Sequence, residues 1–353
     1  MNKGVGVLGA GAFGTAIAKI IAEKGIEVTL WSFEQDVADE INREHTNRYL
    51  PGVTLPETVR AVTDVKEAAE GREYIILSSP SLFILDTVKK ITSVSNIMEG
   101  MSKIAVITKG FLDSDQGPQL LLDRIENYLP GFYKGNVVYI SGPSHAEEVA
   151  RGKITGLISA CANPRMSILF RELLSGETVQ VFSSLDVVGV QISAAVKNVV
   201  AIAFGLLDAL KNISDRVGDN TESYLFAVGL NEIMKLGMAM GATHPETFTS
   251  LAAVGDLHVT CRSLYGRNRR FGAEIIDKKV LDQFKDIDDM IANIGKLGYL
   301  PEGIIAAKYA VRLAEKYGLK LPLIQSVYQM CNKDLNPLEV VKSLDPGFPA
   351  DLQ

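Results

Sequence analysis

The sequence predicts an α/β protein, with an N-terminal doubly wound domain over residues 1–184 and an all-helical C-terminal domain over residues 185–353. Three observations carry this. Short apolar runs alternate with amphipathic stretches through the first half, the pattern that builds a mostly parallel sheet with helices on both faces. A glycine-rich turn stands between the first such run and the first amphipathic stretch. Beyond Leu185, apolar residues recur only at helical spacing.

Val5-Gly6-Val7-Leu8 reads as the first strand, Gly9-Ala10-Gly11-Ala12-Phe13-Gly14 as the turn, and Thr15 to Lys24 as a helix closed by Gly25. In this order each glycine has its own role. Gly9 permits the tight turn, Gly11 lets backbone approach a pyrophosphate, and Gly14 lets helix and strand pack closely. The helix N-terminus then offers free N–H groups and a positive dipole end to phosphates. The domain is therefore Rossmann-type and a dinucleotide its expected cofactor; a glycine-rich turn of structural origin alone is the other reading. Glu27 to Trp31 follows as a strand, and Glu34 stands twenty residues beyond Gly14, the spacing at which a carboxylate grips ribose hydroxyls. No Lys or Arg follows Glu34 before Arg43, so a ribose 2′-phosphate lacks a partner and NAD is favoured, with NADP kept open. Glu34 can also be an exposed acid in a helix's first turn.

Tyr74 to Leu77, Ile104 to Ile107 and Val137 to Ile140 continue the sheet, and a helix from Ser81 is expected to contain Phe83. Ligands of doubly wound sheets bind beyond the carboxyl ends of strands. That places Lys109, Gly142 and Ser144 at the expected mouth. Thr155 to Ser159 and Val179 to Phe182, flanking a helix that starts near Pro164, make the far side.

In the second half, helices are expected over Glu222 to Met240, Asp282 to Leu297, Pro301 to Tyr317 and Pro322 to Asn332, with a loose tail from Asp345 to Asp351. The stretch between Asp186 and Asp208 holds a single charge, Lys197. On a helix Val190, Ala194, Ala201, Phe204 and Gly205 share its face, so the ammonium reaches water only with difficulty. Such a lysine lowers its pKa, finds carboxylate or hydrogen-bond partners, or serves a ligand; snorkelling past small neighbours is the alternative. The stretch is long enough to cross a membrane, but a central Lys costs about 2.5–3.5 kcal/mol there, which argues against insertion. Asp256 and Thr260 are four apart and share a helix face. In Gly266 to Gly272, Arg267 and Asn268 form a fork for a phosphate or carboxylate, or else part of an exposed basic turn.

Composition, 47% hydrophobic and 22% charged, is that of an ordinary globular chain, and the net charge of −6 without a long basic run argues against a nucleic-acid partner. Three widely spaced cysteines, Cys161, Cys261 and Cys331, suit a reducing, cytoplasmic location and neither a disulfide frame nor a metal site; no metal is expected. The uncharged run Gly4 to Ala18 could suggest a signal peptide, but five of its fifteen residues are glycines in a patterned turn.

Taken together, GAGAFGTAIA, Thr108-Lys109-Gly110, SGPSHAEEVA from Ser141, AAVKNVVAIAFG from Ala194, GDLHVTC from Gly255 and GRNRRFG from Gly266 resemble the NAD(P)-dependent glycerol-3-phosphate dehydrogenase family, nearly end to end. The resemblance implies an oxidoreductase that interconverts glycerol 3-phosphate and dihydroxyacetone phosphate with NAD or NADP, supplying a precursor of phospholipid synthesis. It makes Lys197 the catalytic general acid/base, with Asp256 holding it in place, and puts Lys109, Gly142, Ser144, Asn198, Asp256, Thr260, Gly266, Arg267 and Asn268 around a small phosphorylated substrate. Cofactor contacts are implied from Gly9, Gly11, Ala12, Phe13, Gly14, Phe33, Glu34, Phe83, Lys109, Ala146, Arg267, Leu300 and Glu302. A homodimer is kept open as a partnership. Two positions depart from the common bacterial pattern: Trp31-Ser32-Phe33-Glu34 is closer to NAD-using eukaryotic members, and Gly266 stands where many bacterial members have Ser. A related 2- or 3-hydroxyacid dehydrogenase and a catalytically idle NAD-binding regulator are the rival readings. Lys197→Met is expected to fold without loss of stability, because a buried cation that leaves often costs none.

Overall fold

The computed structural model describes residues 4–263 and 266–337; the expected tail from Asp345 to Asp351 lies outside them. Ten strands are described: β1 Val5–Leu8, β2 Val28–Trp31, β3 Val59–Val62, β4 Tyr74–Leu77, β5 Lys103–Val106, β6 Phe111–Leu112, β7 Gln119–Leu120, β8 Val138–Ser141, β9 Thr155–Ala160 and β10 Val179–Ser184. Eight of them form one sheet in the order β10-β9-β8-β5-β4-β1-β2-β3, while β6 and β7 make a small antiparallel pair. β1 to β5 and β8 run parallel. β9 is antiparallel to β8, and β10 follows β9 in parallel, so the sheet is mixed. Its central strands are buried on both faces, as the unbroken apolar runs of β1 and β4 require.

Several elements differ from expectation for identifiable reasons. The first helix spans Ala12–Ala22, so it begins inside the glycine-rich motif, with Gly11 before its first turn. Gly25, at φ +76°, follows its end and donates to Ala22 O. The strand β3 was not expected: its four residues are interrupted by exposed Arg60, and it exists through pairing with β2. Phe83 is not inside a helix but just before Ile84–Ile91, in a turn closed by its N–H on Pro80 O. The expected helix Asp282 to Leu297 is broken into a 3₁₀ turn Val280–Gln283, the helix Ile287–Ala292 and a 3₁₀ turn Ile294–Leu297. Asp286 causes the break by accepting the Asp289 N–H, an N-cap that starts a new helix.

The chain divides into two compact units, one comprising residues up to Ser114 and Gln119–Gln191, the other Asp115–Pro118 and residues from Ile192. The first holds the sheet. Its core runs from Val5 and Val7 through Ile17, Ile21, Ile76 and Ile140 to Phe170. In the second, no strand occurs among the described residues, and the hub is the helix Val187–Lys211. This helix is long and apolar enough to cross a membrane, yet 89% of its apolar window is buried inside the fold.

Neighbours approach the hub helix at backbone distance. A Cβ on Gly272 would lie 2.0 Å from Ile202 O, one on Gly303 2.5 Å from Asn198 O, and one on Gly205 1.8 Å from Arg269 O. These glycines serve close helix packing.

Candidate active site

In the first unit the loops after β1, β4, β5 and β8 emerge along one edge of the sheet, because these strands are adjacent and parallel. Hydrogen bonds stitch three of the loops together. Thr108 Oγ1 donates to Ser79 O at 2.7 Å, and Ser79 Oγ donates to Leu8 O at 3.1 Å. Lys109, half-buried, follows Thr108 directly, and Gly142 and Ser144 occupy the next loop, where Ser144 Oγ donates to Gly142 O at 2.9 Å. Gly142 adopts φ +123°, and a Cβ there would meet Gly156 O at 2.9 Å, so only glycine fits.

The glycine-rich turn separates structural from ligand-directed glycines. Gly9 has φ +136°, and a Cβ on Gly14 would lie 2.1 Å from Gly9 O; conformation or packing demands both. Gly11 is different. Its φ of −69° suits any residue, and a Cβ there would meet nothing of this chain within 4 Å. That space has room for a ligand lying against the backbone, next to the N–H groups of Ala12, Phe13 and Gly14 that a helix N-terminus leaves without intrahelical partners. The residues present thus fit the dinucleotide.

Phe33 and Phe83 are exposed, at 84% and 59%, while Ala146, at 8%, is largely part of the core of this unit. Glu34, before the helix Gln35–Glu44, accepts from Tyr49 Oη at 2.6 Å. Local reading missed Tyr49, and it missed Asn47, which donates to Ala10 O and Thr15 Oγ1 beneath the turn. Both come from a loop remote in sequence from the turn, and no spacing rule announces them.

In the second unit Lys197 is 6% exposed, with Val190, Ala194, Ala201 and Phe204 buried on the same helix. Its Nζ donates to Asp256 Oδ1 and, at 2.8 Å, to Thr260 Oγ1. The carboxylate and the hydroxyl sit on consecutive turns of the helix Asp256–Arg262, which continues directly from a π-helical turn, Leu251–Gly255. Turns of this kind recur at functional sites. Thr260 Oγ1 also donates to Asp256 O at 2.6 Å, leaving its lone pairs for Lys197. Cys261 on this helix is no nucleophile, since burial pushes its thiol up to about 12 despite nearby Lys197 and Arg269.

Asn198 and Asn268 also meet. Asn268 Nδ2 donates to Asn198 Oδ1 at 3.0 Å, and Asn268 Oδ1 accepts the Gly303 N–H at 2.8 Å, next to Glu302. One Asn268 N–H remains for a ligand. Leu300 and Glu302 are half-buried around the start of the helix Glu302–Lys316. The fork expected in Gly266 to Gly272 resolves into separate roles on the helix Arg267–Asp277. Arg269 binds Asp208 through two N–H groups, and Arg270 pairs with Glu274 at 2.8 Å. Burial pushes the Glu274 carboxyl up, but donors from Lys278, Tyr299 and Arg270 together outweigh it and hold it at about 2. Arg267, first in that helix after Gly266, is exposed. The described residues hold no group of His, Cys, Asp or Glu that could bind a metal.

A cradle for a pyrophosphate in one unit and a buried, carboxylate-held lysine in the other are what a dinucleotide-dependent oxidoreductase requires, and the chain is an enzyme of that class. Family models for the N-terminus and C-terminus of NAD-dependent glycerol-3-phosphate dehydrogenase match residues 4–167 and 186–342. The chain is 52% identical over 354 residues to a glycerol-3-phosphate dehydrogenase (NAD(P)+) of Treponema denticola, covering 98% of this chain and 99% of the relative. It is 47% identical over 340 residues to that of Treponema pallidum, covering 94% and 96%. The crystal structure of glycerol-3-phosphate dehydrogenase from Coxiella burnetii is similar with a TM-score of 0.82 at 34% identity, covering 97% of this chain and 98% of the other. The chain belongs to the NAD-dependent glycerol-3-phosphate dehydrogenase family.

Proposed function

We propose that the chain interconverts sn-glycerol 3-phosphate and dihydroxyacetone phosphate, with Lys197 exchanging the proton of the C2 oxygen. The observation that carries this reading is the buried Lys197 ammonium held between Asp256 and Thr260. Asp256 fixes the ammonium's position, and the packed helix around it excludes water, which strengthens its field on a developing alkoxide. When bound, the nicotinamide cofactor supplies or accepts hydride at C2. Gly9 to Gly14 would cradle its pyrophosphate and Glu34 its ribose, with Phe33, Phe83, Ala146, Leu300 and Glu302 as further contacts. Lys109 would steady the C2 oxygen, with Gly142 and Ser144 beside it. Arg267 and Asn268 would take the phosphate, and that remote binding energy orients the reacting carbon.

NAD is the preferred cofactor in this reading, since the Glu34 carboxylate repels a 2′-phosphate. Residues 1–184 act as the cofactor domain and 185–353 as the substrate domain. The product supplies phospholipid synthesis in the cytoplasm, a location that three buried free cysteines support. Light scattering would check the homodimer that the sequence leaves open.

The decisive assay is NADH oxidation with dihydroxyacetone phosphate, run beside 2- and 3-oxoacids. Turnover is expected only with the phosphorylated ketone. Faster oxoacid reduction would move the chain to the hydroxyacid dehydrogenases, and NADH binding without any turnover would make it a regulator.

A further inference from the structure

The loop after the helix Gln35–Glu44 carries Asn47, Arg48 and Tyr49 in succession. Asn47, 2% exposed, anchors it to the glycine-rich turn by donating to Ala10 O at 2.9 Å and to Thr15 Oγ1 at 2.8 Å. Tyr49 anchors it to the ribose-side acid through the 2.6 Å hydrogen bond from its Oη to Glu34 Oε2. Arg48 stands between these anchors. Spacing along the chain offered no base before Arg43, and Arg43 is spent on Asp39 at 3.1 Å. Folding supplies Arg48 instead.

A guanidinium beside the ribose acid is the group that a 2′-phosphate seeks, because its planar donors match phosphate oxygens. Here it is already occupied. Arg48 Nη1 donates to Asp36 Oδ2 at 2.6 Å and Nε to Glu40 Oε2 at 3.0 Å. We propose that Asp36 and Glu40 are specificity-determining residues that exclude 2′-phosphorylated dinucleotides by sequestering Arg48. The inference rests on the NAD preference proposed above and adds a second cause to repulsion by Glu34. The Arg48 and Asp36 side chains are 48% and 62% exposed, so their pair contributes little to stability; Glu40, 18% exposed, also accepts from Thr46 Oγ1, a bond that the amide of E40Q keeps through its oxygen.

The test is calorimetric binding of NADH and NADPH to the protein without substrate, with thermal unfolding as a control of folding. D36N/E40Q is expected to bind NADPH about fivefold tighter or more, with NADH affinity within about twofold of wild type. E44Q/E57Q, which removes the same number of charges from the same unit without releasing Arg48, should leave NADPH binding unchanged. Adding R48M to D36N/E40Q should abolish the gain. Equal tightening in E44Q/E57Q would reduce the effect to net charge and overturn the proposal. So would a gain that survives R48M, or an unchanged NADPH affinity in folded D36N/E40Q. A wild type that binds NADPH as tightly as NADH defeats the NAD preference itself, whatever the variants do.

Discussion

Lys197 was legible as an anomaly, one charge in a long apolar stretch, and the resemblance pointed to Asp256 as the group that holds it; Thr260 as its second partner was not legible. The helix face shared by Asp256 and Thr260 placed the two side by side, and the fold brings both onto the Lys197 ammonium. The buried pair argues against the expectation that Lys197→Met is neutral for stability. The pair is buried, with side chains 7% and 1% exposed, so removing the cation alone takes away the charge that faces the Asp256 carboxylate. Breaking a buried pair from one side costs about 3–5 kcal/mol, whereas replacing both partners is often nearly neutral. Lys197→Met should therefore lower the unfolding free energy in urea by about that amount, and Lys197→Met with Asp256→Asn should recover most of it. Both variants should bind NADH normally and lose about 10²–10⁴ in kcat. Single-variant stability equal to wild type would mean that Asp256 is not charged beside Lys197, and turnover within a few-fold of wild type would make Lys197 structural.

Elements were read best where periodicity or glycine marks them and worst where tertiary pairing creates them. The first helix, the Lys197 helix and the runs of β1 and β4 carry their own signals. By contrast β3 needs β2, and the reversal between β8 and β9 leaves no trace in either strand's composition. Within the turn, the sequence assigned roles to three glycines, and the structure shows which of these involve the protein itself. Gly14→Ala would push a Cβ to 2.1 Å from the Gly9 carbonyl, forcing strand and helix apart. Overpacking of this kind costs about 1–3 kcal/mol or more, so the apparent Tm should fall by several degrees. Gly11→Ala meets only open space and should leave Tm unchanged while weakening NADH binding about tenfold or more, since the methyl occupies the pyrophosphate's place. An NADH affinity unchanged by Gly11→Ala would remove the cofactor from this turn.

At the scale of the whole molecule the proposed function divides the chemistry between the two units, the sheet carrying the glycine-rich turn proposed for the dinucleotide and the helices carrying Lys197, proposed to exchange the proton, and the residues expected at the phosphate. The helical unit was legible as helices but not as a network. Its arginine-rich segment read as one cationic fork, yet Arg269 braces the Lys197 helix through Asp208, and Arg270 is held by Glu274 and stacks on Tyr299 at 4.4 Å. That leaves exposed Arg267, beside Asn268 with its remaining N–H, as the cation of this segment for the substrate phosphate. A charge-assisted contact of this kind contributes about 1.5–3 kcal/mol. Arg267→Ala should therefore lower kcat/KM for dihydroxyacetone phosphate at least about tenfold, while unphosphorylated dihydroxyacetone, a poor substrate for both proteins, loses far less. The comparison removes effects on the fold and the cofactor, which both substrates share. If the two substrates lose activity equally, Arg267 serves the dinucleotide or the packing of its helix, and the phosphate is held elsewhere.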